Sequence, residues 1–380
     1  MTKKFDFDSI RPYNDSEIHE VFERLKQEKT FLKFVHFLFA KIPIEEIIKK
    51  LLDINSINQF QTEIMHAFVR EIISTTSDGV TVTGIDKLSK NENYLFISNH
   101  RDIVLDPALL NILLVENGHE TCEIAIGDNL LIFPWITDLV KLNKTFVVRR
   151  NLPGRQMLEA SETLSHYIRY TITEKGQSIW IAQREGRSKD GDDRTQISLL
   201  KMLNISGEKT IPENFDQLNV VPVSISYEYD PCDYLKAYEF QQKRDDPDYK
   251  KTQADDLRHM REGLRGKKGR IHFTFGKPLK EELEQLKETN NKNEQFQKLA
   301  EIIDEQIHNS YKLWPGNFVA ADIQSDSNKF AHKYSEEEKN TFLAYIEKHT
   351  NMIEEGDKPF IRKMLIDMYA NPVKNFYKEN

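Results

Sequence analysis

The amino-acid sequence predicts an α/β fold: a central mixed sheet covered by helices, with an N-terminal helical bundle before it and C-terminal helices after it. Three observations predict this. Short β-branched runs alternate with helical stretches through the middle of the chain. Before them, apolar residues recur three and four apart, and after them come charged, helix-forming stretches. The divisions expected are 1–77, 78–320 and 321–380 of 380 residues, enough for one large domain with smaller appendages.

In the first division, SEIHEVFERLKQEKTFLKFVHFLF, IPIEEIIKKLL and QTEIMHAFVREIIST each carry the helical spacing. Ser77-Asp78-Gly79 marks the change of texture. Seven strand-like runs follow: VTVTGID from Val80, YLFIS from Tyr94, CEIAIG from Cys122, KTFVVRR from Lys144, SIWIAQ from Ser178, NVVPVSISYEY from Asn219 and IHFTFGKPL from Ile271. PALLNILLVEN and GRQMLEASETLSHYIRYTITEKG read as helices between them. Pro222, inside Val-Pro-Val, fits a strand start or an edge strand, with most of that run in the core. The stretch from Lys280 to Trp314 and that from Tyr334 to Asn380 are helical again.

Composition narrows the function classes. Lys plus Arg is 53 against 61 Asp plus Glu, a net charge of −8, which does not suit a protein that coats nucleic acid or an anionic surface globally. No nucleic-acid partner is expected, and any anion site must come from local clustering. Cys122 and Cys232 are the two cysteines, without the spacing of a disulfide framework or a zinc site. No metal is expected. MTKKFDFDSIRPYND lacks the apolar core of a signal peptide. The apolar run FLKFVHFLFA, Phe31 to Ala40, is interrupted by Lys33 and His36 and is too short for a span. The expected location is cytoplasmic, with peripheral contact at the inner face of a membrane left open.

Four stretches carry candidate chemistry. In NHRDIVLDP, His100 follows a strand and is trailed by Asp102 and Asp106. A base needs an acceptor that fixes its tautomer and stabilises its cation, and either aspartate is a candidate. Asp106-Pro107 also reads as a helix N-cap followed by proline at the first helical position, and Asp102 as loop charge. KLNKTFVVRRNLPGR has five basic residues and no acidic one. Its Arg149 and Arg150 end a strand and suit bidentate phosphate recognition; a solvated basic loop is the bland alternative. In SIWIAQREGRSKDG, Gly186 allows a tight turn and close backbone approach to a ligand, flanked by Glu185 and Arg187. A strand-exit turn of mixed charge would look the same. LLIFPWI, Leu130 to Ile136, is either the wall of an apolar groove or ordinary core. Arg258 to Lys277 holds seven basic residues with Glu262 as its only acid, a patch for anionic lipid or an acidic carrier protein, or a solvated surface.

Taken in order, NHRDIVLD, KTFVVRR, REGRS and VVPVSISYE resemble the four blocks of the glycerolipid acyltransferase family, which includes glycerol-3-phosphate and 1-acylglycerol-3-phosphate O-acyltransferases. SIWIAQREGRSKD is similar to the soluble chloroplast-type glycerol-3-phosphate acyltransferase. The resemblance spans roughly Val80 to Leu279 and identifies 78–320 as the acyltransferase domain. It implies His100 as general base, Asp106 as its orienting acid, Arg149 and Arg150 on the acceptor phosphate, and Glu185, Gly186 and Arg187 completing the acceptor site. It also implies acyl-CoA or acyl carrier protein as co-substrate, a phosphorylated glycerol or lysolipid acceptor, and no bound cofactor. Two departures stand out: five residues separate His100 from Asp106 where the family has four, and the threonine before the arginine is missing. The chemistry agrees with the residues. An imidazole suits deprotonation of a hydroxyl attacking a thioester, and no Gly-X-Ser-X-Gly elbow is needed when both substrates bind together. The rival reading is a lipid- or phosphate-binding protein that keeps the scaffold without turnover, supported by the altered histidine spacing.

Overall fold

A computed structural model describes residues 5–38 and 42–378; the end of the Phe31–Ala40 run lies outside them. The N-terminal part is helical as expected, with α1 (Ile18–Leu25), α2 (Lys29–Leu38), α3 (Ile44–Leu52) and the short turn α4 (Ile57–Gln59). The last continues through a π-helical segment, Phe60–Met65, into α5 (His66–Thr76). In α1 the buried residues are Ile18, Val21, Phe22 and Leu25, one stripe of the helix. They share a core with Phe60 and with Leu142 of the following region.

From there strands and helices alternate: β1 (Ser77–Thr83), β2 (Leu95–Ser98), α6 (Leu105–Glu116), β3 (Glu123–Gly127), α7 (Pro134–Leu142), β4 (Thr145–Val148), α8 (Gly154–Thr173) and β5 (Ile179–Ala182). Next come α9 (Ile197–Asn204), α10 (Ile211–Gln217), β6 (Val220–Tyr227), α11 (Asp233–Asp245), α12 (Gln253–Arg265) and β7 (Gly269–Phe275). The chain ends in α13 (Lys280–Leu286), α14 (Lys292–Asn309), α15 (Pro315–Gln324), α16 (Glu336–Asn351) and α17 (Lys358–Tyr377). Among the described residues, no helix is long and apolar enough to cross a membrane.

All seven expected strands form one mixed sheet in the order β1-β7-β6-β2-β5-β3-β4, parallel except for the antiparallel β6/β7 pair. A sheet buried on both faces needs strands that are apolar throughout, and β2 shows why LFIS is such a run. Leu95 and Ile97 pack on one face with Ile168 of α8, Phe215 of α10 and Ile303 of α14. Phe96 packs on the other with Val69 of α5 and Leu109 and Leu113 of α6. Pro222 lies near the start of β6, a central strand whose eight residues are all buried, so the strand-start reading holds and the edge reading does not. Pairing with β7 begins only at Val223, so the missing proline N–H interrupts no bond of that ladder.

The C-terminal helices close on α11. Asp233 at the start of α11 is buried and accepts hydrogen bonds from Tyr345 of α16 (2.6 Å) and Tyr369 of α17 (2.7 Å), and pairs with His349 (2.6 Å). The helix α17 also abuts the loop that leaves β5. Gly191 on that loop has φ +75°, and a Cβ there would stand 2.2 Å from the Met368 carbonyl oxygen. Gly191→Ala is therefore expected to cost about 2–4 kcal/mol of stability, read as a lower urea midpoint at unchanged m-value; an unchanged midpoint would show that the loop does not depend on this contact.

Candidate active site

Strands β2, β5, β3 and β4 are adjacent and parallel, with Ser98 opposite Ala182 and Gly127 opposite Val148. Their C-terminal ends thus open on one edge of the sheet, the usual ligand edge of α/β folds. The residues that follow those ends are His100, Arg149, Arg150, Glu185, Gly186 and Arg187, and all six line one cleft of about 1710 Å³. Asp106 stands behind His100, fully buried.

The loop after β2 is built around a carboxylate. His100 Nδ1 lies 2.8 Å from Asp106 Oδ2, which also accepts from the backbone N–H groups of Arg101 (2.5 Å) and Asp102 (3.0 Å). Among the described residues no hydrogen bond occupies His100 Nε2. Trp180 of β5 stands edge-on to the imidazole, ring centres 5.3 Å apart, and is fixed by its own N–H to Ser98 Oγ at 2.9 Å. Asn99 clamps the loop to β6, accepting from the Ile225 N–H (2.7 Å) and donating to its carbonyl (2.9 Å).

Two expectations about the aspartates are corrected. Asp106 is not the N-cap: it lies inside the first turn of α6, with Pro107 after it. Asp102 is not loop charge: it is 2% exposed, and its Oδ1 accepts from the N–H groups of Val104 (2.9 Å) and Leu105 (2.8 Å), so it does the capping. Burial, with Asp106 nearby, raises its pKa. The residue that lengthens the histidine–aspartate spacing is absorbed in this capped turn.

The acceptor-side residues are less uniform than expected. Arg149 is exposed, and Arg150 is half-buried with Nη1 3.4 Å from the exposed Glu185 carboxylate. Gly186 has φ +71°, which explains the glycine as a turn residue; no other atom comes within 4 Å of where its Cβ would be. Arg187 is buried, and its Nη2 donates to His259 Nδ1 of α12 at 2.8 Å. Lys189 pairs with Glu239, and burial lowers its pKa to about 8.

Sequence reading missed the groups that hold this edge from below. Arg101 donates to Asp193 Oδ2 (2.6 Å), which also accepts from Tyr311 (2.5 Å), and Lys236 donates to the Arg101 carbonyl (2.9 Å) while pairing with Asp230. Asp193 and Lys236 lie 92 and 135 residues away from Arg101 with no shared motif, so no local signal marks them. The basic run from Arg258 does not form one patch. Lys268 is fully buried and donates to the Gly266 carbonyl (2.7 Å), Arg270 pairs with Glu228 (2.6 Å), and Arg261 and Arg265 line the cleft.

The cleft has an apolar arm. Phe31 and Phe34 of α2 stand 6.1 and 5.1 Å from the Trp135 ring, and all three line it together with Phe22, Leu130 and Ile136. Of LLIFPWI, Leu130, Trp135 and Ile136 line the cleft, while Leu131 packs against the sheet core, so the run serves both roles. Among the described residues no group of three or more His, Cys, Asp or Glu is placed to hold a metal ion, and both cysteines are buried free thiols.

Residues 79–226 match the family model described as Acyltransferase, a stretch that holds the first three blocks and the fourth up to Ser226. No curated protein sequence matches the chain. A solved structure, the 1-acyl-sn-glycerophosphate (LPA) acyltransferase of Thermotoga maritima, aligns over 77% of this chain and 92% of its own, at 13% identity and a TM-score of 0.36.

The helix α12 lies beyond the matched stretch yet touches the histidine loop. A Cβ at Gly263 would stand 2.1 Å from Asp102 Oδ2. Alanine favours a helix by about 1 kcal/mol over glycine, but here it must displace a buried capping carboxylate. Gly263→Ala is expected to be net destabilising by about 1–3 kcal/mol in thermal or urea unfolding. A variant as stable as the parent would mean that Asp102 moves aside freely.

Proposed function

We propose that the protein transfers a fatty acyl group from an acyl-CoA or acyl-carrier-protein thioester to a hydroxyl of glycerol 3-phosphate or 1-acylglycerol 3-phosphate, working as a peripheral enzyme at a membrane surface. The observation that carries this reading is His100, tied at Nδ1 to a buried carboxylate 2.8 Å away and lining a cleft that also holds arginines and an apolar arm. The acceptor phosphate sits with Arg149 and Arg150, and the acyl chain lies along Phe34 and Trp135. The longer spacing still brings His100 and Asp106 together, which supports turnover over a non-catalytic scaffold.

The step balances without a covalent enzyme intermediate. His100 Nε2 takes the proton of the acceptor hydroxyl as its oxygen bonds to the thioester carbonyl carbon. The tetrahedral intermediate collapses, the carbon–sulfur bond breaks, and the imidazolium returns the proton to the thiolate, leaving an ester and a free thiol. Asp106 holds the proton of Nδ1 in place and stabilises the imidazolium. Asp102 enters only by shaping the turn.

Thioester consumption with glycerol 3-phosphate and its 1-acyl derivative tests this. His100→Ala is expected to abolish transfer in a folded protein, and Asp106→Asn to lower kcat by about two orders of magnitude or more; full activity in His100→Ala would sink the mechanism. Separately, Arg149→Ala and Arg150→Ala should each raise the acceptor KM about tenfold at similar kcat. An unmoved KM in both would take them out of the phosphate site.

A further inference from the structure

Arg187 is 6% exposed, and its two terminal nitrogens have different surroundings. Its Nη2 donates to His259 Nδ1 at 2.8 Å, whereas Nη1 is buried without a hydrogen-bond partner among the described residues. His259 is itself 4% exposed. It lies four residues before Gly263 on α12, so one face of this helix meets both the Arg187 loop and, through Asp102, the His100 loop. The His259 carbonyl accepts from the Cys232 thiol at 3.2 Å, which pins the helix at that point.

An arginine only donates, so Nδ1 of His259 must be the acceptor and its proton must sit on Nε2. Burial, and after it the charge of Arg187, hold the pKa of this imidazole far below its ordinary value. It is a neutral acceptor of fixed tautomer, unlike the imidazole of a base. The guanidinium therefore has one arm tied down and one arm unpaired, beside a cleft that Arg187 lines. A buried unpaired N–H is unfavourable, and an anionic oxygen is the group that offsets it most effectively.

We infer that His259 is a positioning residue for acceptor binding: by holding Nη2 of Arg187 it leaves Nη1 for an oxygen of the acceptor's phosphomonoester. This rests on the acyl-transfer reading above and extends the acceptor site to α12, outside the four sequence blocks. His259 touches neither substrate. Its effect is on phosphate affinity and not on the proton transfer at His100.

The test is steady-state kinetics on the full chain, with a palmitoyl thioester as donor and glycerol 3-phosphate and 1-acylglycerol 3-phosphate as acceptors. Inorganic phosphate serves as competing anion. Three variants separate the roles. His259→Leu removes the acceptor, His259→Gln displaces it by one bond, and His259→Asn keeps an oxygen close to the Nδ1 position. His259→Leu and His259→Gln are expected to raise the acceptor KM and the phosphate inhibition constant about tenfold, with kcat and donor KM within about twofold, while His259→Asn stays within about threefold of the parent. Should His259→Leu fail to fold, the Gln and Asn pair still decides. An acceptor KM that is the same in Gln, Asn and parent overturns the inference alone, as does a fall in kcat with both KM values altered alike. A parent enzyme that transfers acyl groups to no phosphorylated acceptor overturns this inference together with the reading it rests on.

Discussion

One carboxylate oxygen, Oδ2 of Asp106, sets the shape of the sheet edge that carries His100. It accepts from His100 Nδ1 and from two consecutive backbone N–H groups, and it does so with the side chain fully buried. A carboxylate is costly to bury unless donors surround it. Here all three donors meet Oδ2 and two of them are main-chain groups, so the loop cannot relax without breaking them, while Oδ1 is buried without a partner among the described residues. The site in the first turn of α6 adds the favourable end of the helix dipole. Turning the Asp102 N–H inward leaves the Asp102 carboxylate free to cap Val104 and Leu105. The imidazole position is a consequence of this small knot of bonds, and that is why an extra residue between histidine and aspartate does not separate them.

The knot is held in place by the sheet. Asn99 reproduces a strand's pair of bonds to Ile225 of β6 with its side chain, and Ser188 after β5 donates to the His100 carbonyl at 2.9 Å. Arg101 runs the other way into the Asp193–Tyr311 group, a buried ion pair that is weak evidence of stability but fixes a conformation. Together these contacts tie the histidine loop to β6, to the β5 loop and to the C-terminal part of the molecule. An imidazole tied at this many points has a fixed orientation, and under the proposed mechanism that is the form of preorganisation that raises rate and not only affinity.

Much of the architecture was legible in the sequence because it follows from local chemistry. Each of the seven strands is a short β-branched or aromatic run bounded by turn residues, and both ends of the chain carry helical spacing. The residues at the strand exits were legible too, since abrupt change from apolar to charged is visible in VVRR and WIAQREGR. What was not legible depends on who meets whom across the chain. The capping role was given to Asp106 because an aspartate before proline looks like a cap, and only the three-dimensional turn shows that the capping carboxylate is four residues earlier. Arg187 looked like an open phosphate clamp because nothing near it in sequence announces His259, seventy-two residues on. The basic run after Arg258 read as a surface because charge alone does not tell that Lys268 turns inward to backbone carbonyls.

The acidic chain and the basic cleft are reconciled by the same geometry. A net charge of −8 gives the molecule no general attraction for anions, yet parallel strands deliver Arg149, Arg150 and Arg187 to one rim because each follows a strand end on the same edge. To the same cleft the N-terminal helices contribute Phe22, Phe31 and Phe34, the last two beside Trp135. The helical part is therefore not merely an appendage to the sheet: it supplies apolar surface that the four blocks lack. Guanidinium groups and aromatic hydrocarbon thus line the same cleft as the His100 imidazole. Neither the sheet edge nor the helical bundle alone would bring these two chemistries into one cleft.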